Sequence, residues 1–330
     1  MMYPELVPIL QCPNSGKSLT LIRDKKAIGK INNDLQFGHL ALASGERPLG
    51  PVEALLETED AEYRYPVIGG IPFLLRESSL TERKSRRKSS VFDRQMGEVQ
   101  QKQMQKFSRM HDRYYTKVTE AQQKILQKFY YPRLDKSSVL DVGNGGLTSD
   151  FQLGKEMAKS VKLFVALDCS YAMLTRNGYN DNQLLADTMH IPLACGSVDY
   201  ILANGLLHHL GLKYGEDPVQ VLGRFFAEGR RVSRKGIIVM ELVIPRIAEI
   251  AEHLLLGLIR FMPTFVYSKV FLLKAFQELN LCISNVIVKR IDDLIKPSTI
   301  VPPILDFEWL KIPVFMLPYS FMFFVVNVLS

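Results

Sequence analysis

The chain has 330 residues, enough for one large domain or two unequal ones, and its 47% hydrophobic and 23% charged content is ordinary for a globular protein. Net charge is +7, with a pI of about 9.1. That balance favours anionic partners such as nucleic acid, phosphorylated substrates or an anionic membrane face, and it selects none of them. The four cysteines, Cys12, Cys169, Cys195 and Cys282, form no CxxC pair. Neither a disulfide framework nor an intact cysteine zinc site is indicated.

The first residues, "MMYPELVPIL", lack the basic start and long apolar core of a signal peptide, so a cytoplasmic protein is the expectation. Residues 1–78 read as a small β-rich module with little core of its own. Leu19–Ile22 and Ile71–Leu75 look like short strands, and Pro13–Gly16 and Gly69–Gly70 are turn signals. Residues 79–135 read as a basic linker followed by a helical segment. The cluster Arg83, Lys84, Arg86, Arg87, Lys88 is either a solvated linker or a phosphate-binding strip for RNA or anionic lipid. Phe107, Met110, Tyr114 and Val118 then recur at helical spacing, and Pro132 should end the last helix.

From residue 136 the texture changes. "SVLDV", "LFVALD", "DYILAN" and "GIIVMELV" are compact apolar runs separated by helix-length stretches, and a third strand should end near Asp187. "SKVFLLKAFQELN" is an amphipathic helix. "CISNVIVKRI" and "SFMFFVVNV" follow as two strands with no helical repeat between them. This order predicts an α/β fold over residues 136–330, with a seven-stranded, mostly parallel sheet carrying one antiparallel strand. The charge-free run Ile312–Ser330 has nearly the length of a membrane span. Pro313 and Pro318 and its Phe, Val and Tyr content favour a buried strand over a membrane-associated segment.

In an open α/β sheet, ligands bind beyond the carboxyl ends of the strands, near the point where strand order reverses. The residues ending each apolar run are therefore the candidates. Asp141 ends the first, followed by Gly143, Gly145 and Gly146. Asp168 ends the second, Asp187 lies past the third, and Asn204 ends the fourth. Glycines let backbone N–H groups approach a ligand closely. An acid past the second strand can accept bonds from two ribose hydroxyls, and Asp187 could accept from an adenine amine. A tight turn at Asp141–Gly143, or helix caps at Asp168 and Asp187, is the ligand-free alternative. A nicotinamide dehydrogenase would want GxGxxG, and "GNGGLT" lacks the last glycine.

Together, "VLDVGNG", "ALDCSYAML" and "ADTMHIPLACGSVDYILANGLLHHL" closely resemble the class I S-adenosylmethionine-dependent methyltransferases, which have a Rossmann-like fold. The nearest branch is that of the ubiquinone/menaquinone C-methyltransferases. The resemblance implies S-adenosyl-L-methionine as cofactor. It places Asp141, Gly143 and Gly145 around the methionine moiety, Asp168 on the ribose with Ser170 and Met173 close by, Asp187 at the adenine with Thr188 and Met189, and Asn204 beside the sulfonium. Leu147 stands where the family has a third glycine. The N-terminal "ILQCPNSGKSL" and "YRYPVIGGIPFLL" resemble a zinc-ribbon-type family that activates, or is fused to, methyltransferases. Only Cys12 of its metal ligands survives, so no metal is expected.

His208 and His209 follow the fourth strand. One of them is a candidate base, since adjacent helical residues face different ways; the alternative is that both merely pack. No "NPPY" motif of amino methylation is present. The connections Ile244–Ser268 and 292–319 are long and apolar, as a packed lid, a hydrophobic acceptor pocket or a membrane-facing surface would be. The expected function is therefore methyl transfer to a small-molecule or lipid-type acceptor, by an enzyme that is cytoplasmic or peripheral to a membrane. An RNA base methyltransferase and a non-catalytic cofactor-fold binding protein are the alternatives.

Overall fold

The computed structural model describes residues 5–82, 131–143, 160–175, 182–210, 217–247, 267–290, 299–300, 312–313 and 320–328. The basic cluster at 83–88, most of the helical segment after it, Gly145, Leu147 and Trp309 lie outside these residues.

The N-terminal part runs β1 (Leu19–Ile22), α1 (Lys25–Gln36), β2 (Leu40–Leu42), β3 (Ala54–Thr58), β4 (Arg64–Ile68), β5 (Ile71–Pro72) and β6 (Leu80–Glu82). Strands β1, β3, β4 and β5 form one antiparallel sheet, while β2 pairs with β6. The sequence gives little warning of α1, because Gly29, Asn32 and Asn33 dilute its helical propensity. Its start is nevertheless well made: the Asp24 carboxylate accepts from Ala27 N at 2.7 Å. Helix α1 buries Ile28 and Ile31 against Leu40, Leu42, Val52, Leu55 and Leu80. The module therefore has a small core of its own, contrary to the expectation from sequence.

Residues Cys12 to Gly16 form a tight turn. Gly16 N donates to Cys12 O at 2.8 Å, with Gly16 at a φ of +72°, a left-handed conformation that glycine adopts without strain. Cys12 Sγ lies 3.3 Å from Tyr65 Oη, and Asn14 Nδ2 donates to the same oxygen at 2.7 Å. Burial pushes the Tyr65 hydroxyl well above its ordinary range, so it stays a neutral hydrogen-bonding group.

The second part runs α2 (Tyr131–Leu134), β7 (Ser138–Val142), β8 (Leu163–Asp168), α3 (Tyr171–Leu174), β9 (Gln183–Leu185), β10 (Val198–Asn204), α4 (Leu207–Leu210), α5 (Pro218–Val232), β11 (Ser233–Val243), α6 (Lys269–Glu278), β12 (Ile283–Arg290), β13 (Thr299–Ile300), β14 (Ile312–Pro313) and β15 (Ser320–Asn327). Pro132 lies within the described helical residues Tyr131–Leu134, so the helix continues past it rather than ending there. Seven strands form one sheet in the order β12-β15-β11-β10-β7-β8-β9. Neighbours from β11 to β9 are parallel, and β15 runs antiparallel to both β11 and β12. These are the seven runs read from the sequence. The charge-free C-terminal run supplies β15, whose residues Phe321 to Val326 are all buried. Among the described residues, no helix is long and apolar enough to cross a membrane.

Helix α5 is amphipathic and buries Val221, Leu222, Phe225, Phe226 and Val232. A chain of rings, Phe225–Phe226–Phe276–Phe324, ties α5 to α6 and β15 at centroid spacings of 5.2, 5.6 and 4.9 Å. Gly229 lets α5 lie close on the sheet, since a Cβ there would sit 2.5 Å from Ile237 Cδ1.

The N-terminal module covers the β9 edge. Leu74 N donates to Leu185 O at 2.8 Å, and Phe73 bridges Leu185 in parallel register. Ile68, Ile71 and Phe73 share a core with Ala166, Leu174 and Leu185. A strand edge that would otherwise present unpaired N–H and C=O groups is thereby protected.

Candidate functional site

Strand order reverses between β7 and β10, and the sequence-predicted residues gather at that carboxyl rim. Asp141 is the penultimate residue of β7 and is 1% exposed. Gly143 follows at a φ of +65°, and a Cβ there would lie 2.7 Å from Leu206 Cδ1. Only glycine allows both that backbone conformation and that close approach. Gly143 thus lies against Leu206 just past β10, where Gly205, at a φ of +60°, donates its N–H to Met240 O at 2.7 Å.

Asp168 ends β8, buried, and its Oδ1 accepts from Ser170 N at 2.7 Å. Ser170 opens the short helix α3, and Met173, one turn on, is fully enclosed. Asp187 lies two residues past β9, and its Oδ1 accepts from Met189 N at 3.0 Å. Thr188 is buried, and Met189 belongs to the main core. Asn204 ends β10, also buried. Asp141, Gly143, Asp168, Asp187 and Asn204 therefore occupy four neighbouring strand ends, β9-β8-β7-β10.

His208 and His209 lie on α4, just past β10, with ring centroids 4.0 Å apart. Nδ1 of His208 is 2.5 Å from Oε1 of Glu241. Glu241 is fully buried near the end of β11, and its carboxylate also accepts from Leu207 N at 2.7 Å and Leu242 N at 2.8 Å. Burial, and then the neighbouring His208, hold the His209 imidazole well below its ordinary range, so it is neutral. Sequence reasoning did not single out Glu241. Its signal was a lone acid inside the apolar run "IIVMELVI", a position where an unpartnered carboxylate would be costly.

A second missed set fixes the loop after Asp187. Glu228 Oε1 accepts from Ile191 N at 2.8 Å. Arg231 donates to Ile191 O and Leu193 O, each at 2.7 Å, and to Glu228 Oε2 at 2.9 Å. The bond to Glu228 raises the Arg231 guanidinium above its ordinary range. On its other side the loop meets the module, through Gln11 N to Pro192 O at 2.9 Å and Ala194 N to Ile9 O at 2.8 Å.

These residues fit S-adenosylmethionine. The buried acid at the second strand end suits a ribose diol, the glycine cradle leaves backbone where a Cβ would intrude, and Asp187 stands one strand further along, where an adenine would lie.

The methyltransferase-domain family matches residues 140–240. No curated protein matches the sequence at a meaningful level. Solved structures show similar folds at low identity. A Bacillus halodurans protein assigned as a methyltransferase is 16% identical, with a TM-score of 0.45, covering 63% of this chain and 99% of its own. A complex of a Haloferax volcanii methyltransferase activator and its methyltransferase is also 16% identical at 0.45, covering 72% and 98%. Magnesium protoporphyrin IX methyltransferase from Synechocystis PCC 6803, with S-adenosylhomocysteine bound, is 11% identical at 0.39, covering 64% and 85%. The family match spans the same four strand ends: residues 140–240, which carry Asp141, Asp168, Asp187 and Asn204, match the methyltransferase-domain family.

Proposed function

We propose that the enzyme transfers a methyl group to a small-molecule or lipid-type acceptor at the carboxyl rim of the sheet. The carrying observation is the convergence of Asp141, Asp168, Asp187 and Asn204 on four adjacent strand ends beside a glycine cradle. S-adenosylmethionine supplies an electrophilic methyl on a positively charged sulfur, so the protein's contribution is positioning and a dry site. Asp168 holds the ribose hydroxyls, with Ser170 and Met173 beside it. Asp187, Thr188 and Met189 line the adenine side, and Asp141, Gly143 and Gly145 hold the methionine end. Asn204 would lie beside the sulfonium. In this scheme residues 1–78 are a packed module, 79–135 a linker and 136–330 the catalytic domain.

The acceptor class rests on the apolar composition of the two long connections that leave the same rim, at residues 248–266 and 291–319. At the described foot of the first, Ile244 bridges Ser268 and Tyr267 stacks on Phe271 at 5.0 Å. An amphiphilic molecule, at a peripheral membrane surface or free in the cytoplasm, suits that composition.

Calorimetric titration with S-adenosylmethionine tests this proposal. We expect micromolar binding in the wild type and a loss of roughly two orders of magnitude in Asp168→Ala, because one buried carboxylate makes both ribose contacts. Wild-type binding that Asp168→Ala leaves untouched would sink it.

A further inference from the structure

We propose that Glu241 and His208 form a dyad that makes Nε2 of His208 the proton acceptor of the reaction, and that the methyl acceptor therefore carries a removable proton, as a phenol-type hydroxyl does. The inference rests on the methyltransferase reading above and narrows its substrate.

The hydrogen-bond inventory of Glu241 fixes the tautomer. Its Oε1 receives Leu242 N–H and its Oε2 receives Leu207 N–H, so the carboxylate acts as an acceptor on both oxygens. Nδ1 of His208, 2.5 Å from Oε1, must then carry a proton to donate. This holds whether the imidazole is neutral or cationic. Proton uptake and release are confined to Nε2, on the opposite edge of the ring.

The dyad also stands in the right place. His208 is four residues past Asn204, at the rim where the sulfur is expected. Its backbone is set by the contact of Leu207 N with the same carboxylate, so one buried acid fixes both the start of α4 and the imidazole. Among the described residues, the titratable groups facing His208 are Glu241 on β11 and His209 on its own helix. Of the charged residues of α5, Glu228 and Arg231 are engaged with Ile191 and Leu193 instead. His209 is held neutral by burial and by the neighbouring His208.

In the proposed step the X–H proton of the acceptor moves to Nε2 of His208 while X gains the methyl group. The S–CH3 bond breaks and its electron pair stays on sulfur, cancelling the sulfonium charge. The proton then leaves His208 for solvent. A tertiary amine, which has no proton to lose, would have no use for this device. Glu241 is a positioning residue; His208 is the catalytic one.

The test uses the full chain. His208→Asn keeps a donor where Nδ1 stood, facing Glu241, but has no titrating nitrogen. Methyl transfer is followed with two probes, 4-octylphenol and N,N-dimethyloctylamine, and the ring is followed by 15N NMR of labelled histidine. We expect the wild type to show the Nδ1–H tautomer and to methylate the phenol in preference to the amine, with activity falling at low pH. His208→Asn should keep its melting temperature and its cofactor Kd but lose about 100-fold in kcat, and its low-pH limb should vanish. Glu241→Gln should give a mixed tautomer, because its amide then faces a backbone N–H.

Three results would overturn the dyad: an Nε2–H ring in the wild type, wild-type rates in His208→Asn, or no transfer to the phenol from cofactor-bound enzyme. Should either variant fail to fold, the wild-type tautomer and probe preference still decide. Failure of the methyltransferase reading itself would appear earlier, as wild-type protein that binds no cofactor.

Discussion

At the scale of single residues, Asp199 shows how the foot of the sheet is held together, opposite the cofactor rim. It lies near the start of β10, and its Oδ2 accepts from both N and Oγ of Ser138 on β7, each at 2.9 Å. Arg234 on β11 approaches its other oxygen at 3.3 Å, and Lys235 at 3.4 Å. Burial alone would raise this carboxyl, but the Ser138 and Arg234 bonds outweigh it and hold it well below the usual carboxylate range. A depressed folded-state pKa stabilises the fold fully above the ordinary carboxylate value of about 4, and that contribution declines as pH falls from there through the depressed folded-state value. We therefore expect Asp199→Asn to lose about 1–3 kcal/mol at pH 7. In thermal melts from pH 7 to pH 3, its deficit against the wild type should shrink toward the acid end. A constant deficit would show that packing, not charge, is what Asp199 supplies. The sequence showed Asp141, Asp168 and Asp187 because each ends an apolar run. The roles of Asp199 and Glu241 could not be read there, since their partners lie 61 and 34 residues away.

At the scale of elements, the loop from Thr188 to Ala194 shows how a segment without regular structure is made rigid. It is clamped by Glu228 and Arg231 of α5 on one side and by Ile9 and Gln11 on the other. Arg231 satisfies two carbonyls and one carboxylate, so Arg231→Met leaves three acceptors short of donors. We expect a loss of about 2–4 kcal/mol, seen as a lower urea midpoint. Cofactor affinity should fall with it, because Asp187 and Met189 enter this loop. An unchanged midpoint would mean that water replaces the guanidinium. Helix α6 was legible by its amphipathic pattern, and the structure adds its cap, Ser268 Oγ accepting from Phe271 N at 3.0 Å; α5 was read only as a helix-length stretch between two strands. Helix α1 was not, because its two buried isoleucines are spaced among Gly and Asn.

At the scale of the whole molecule, the module and the seven-stranded sheet share one main core. Leu6, Leu10, Leu56, Tyr65 and Leu74 pack in the same cluster as Leu184, Ala186 and Met189. Removing residues 1–82 would uncover the β9 edge and the apolar surface of Leu185 and Leu174. We expect the shortened chain to self-associate in size-exclusion chromatography and to bind S-adenosylmethionine more weakly. A monomeric fragment with wild-type affinity would show the module to be an independent appendage.

The sequence by itself determined the α/β class, the seven strands, the antiparallel C-terminal strand and the acids that end the strands. Period and burial are local properties, readable wherever a strand is covered on both faces. Tertiary structure decided the rest. It set which edge the module covers, and it paired His208 with Glu241 and Arg231 with the loop after Asp187. These contacts join residues that only the folded sheet brings within hydrogen-bond reach, and no spacing along the chain encodes them.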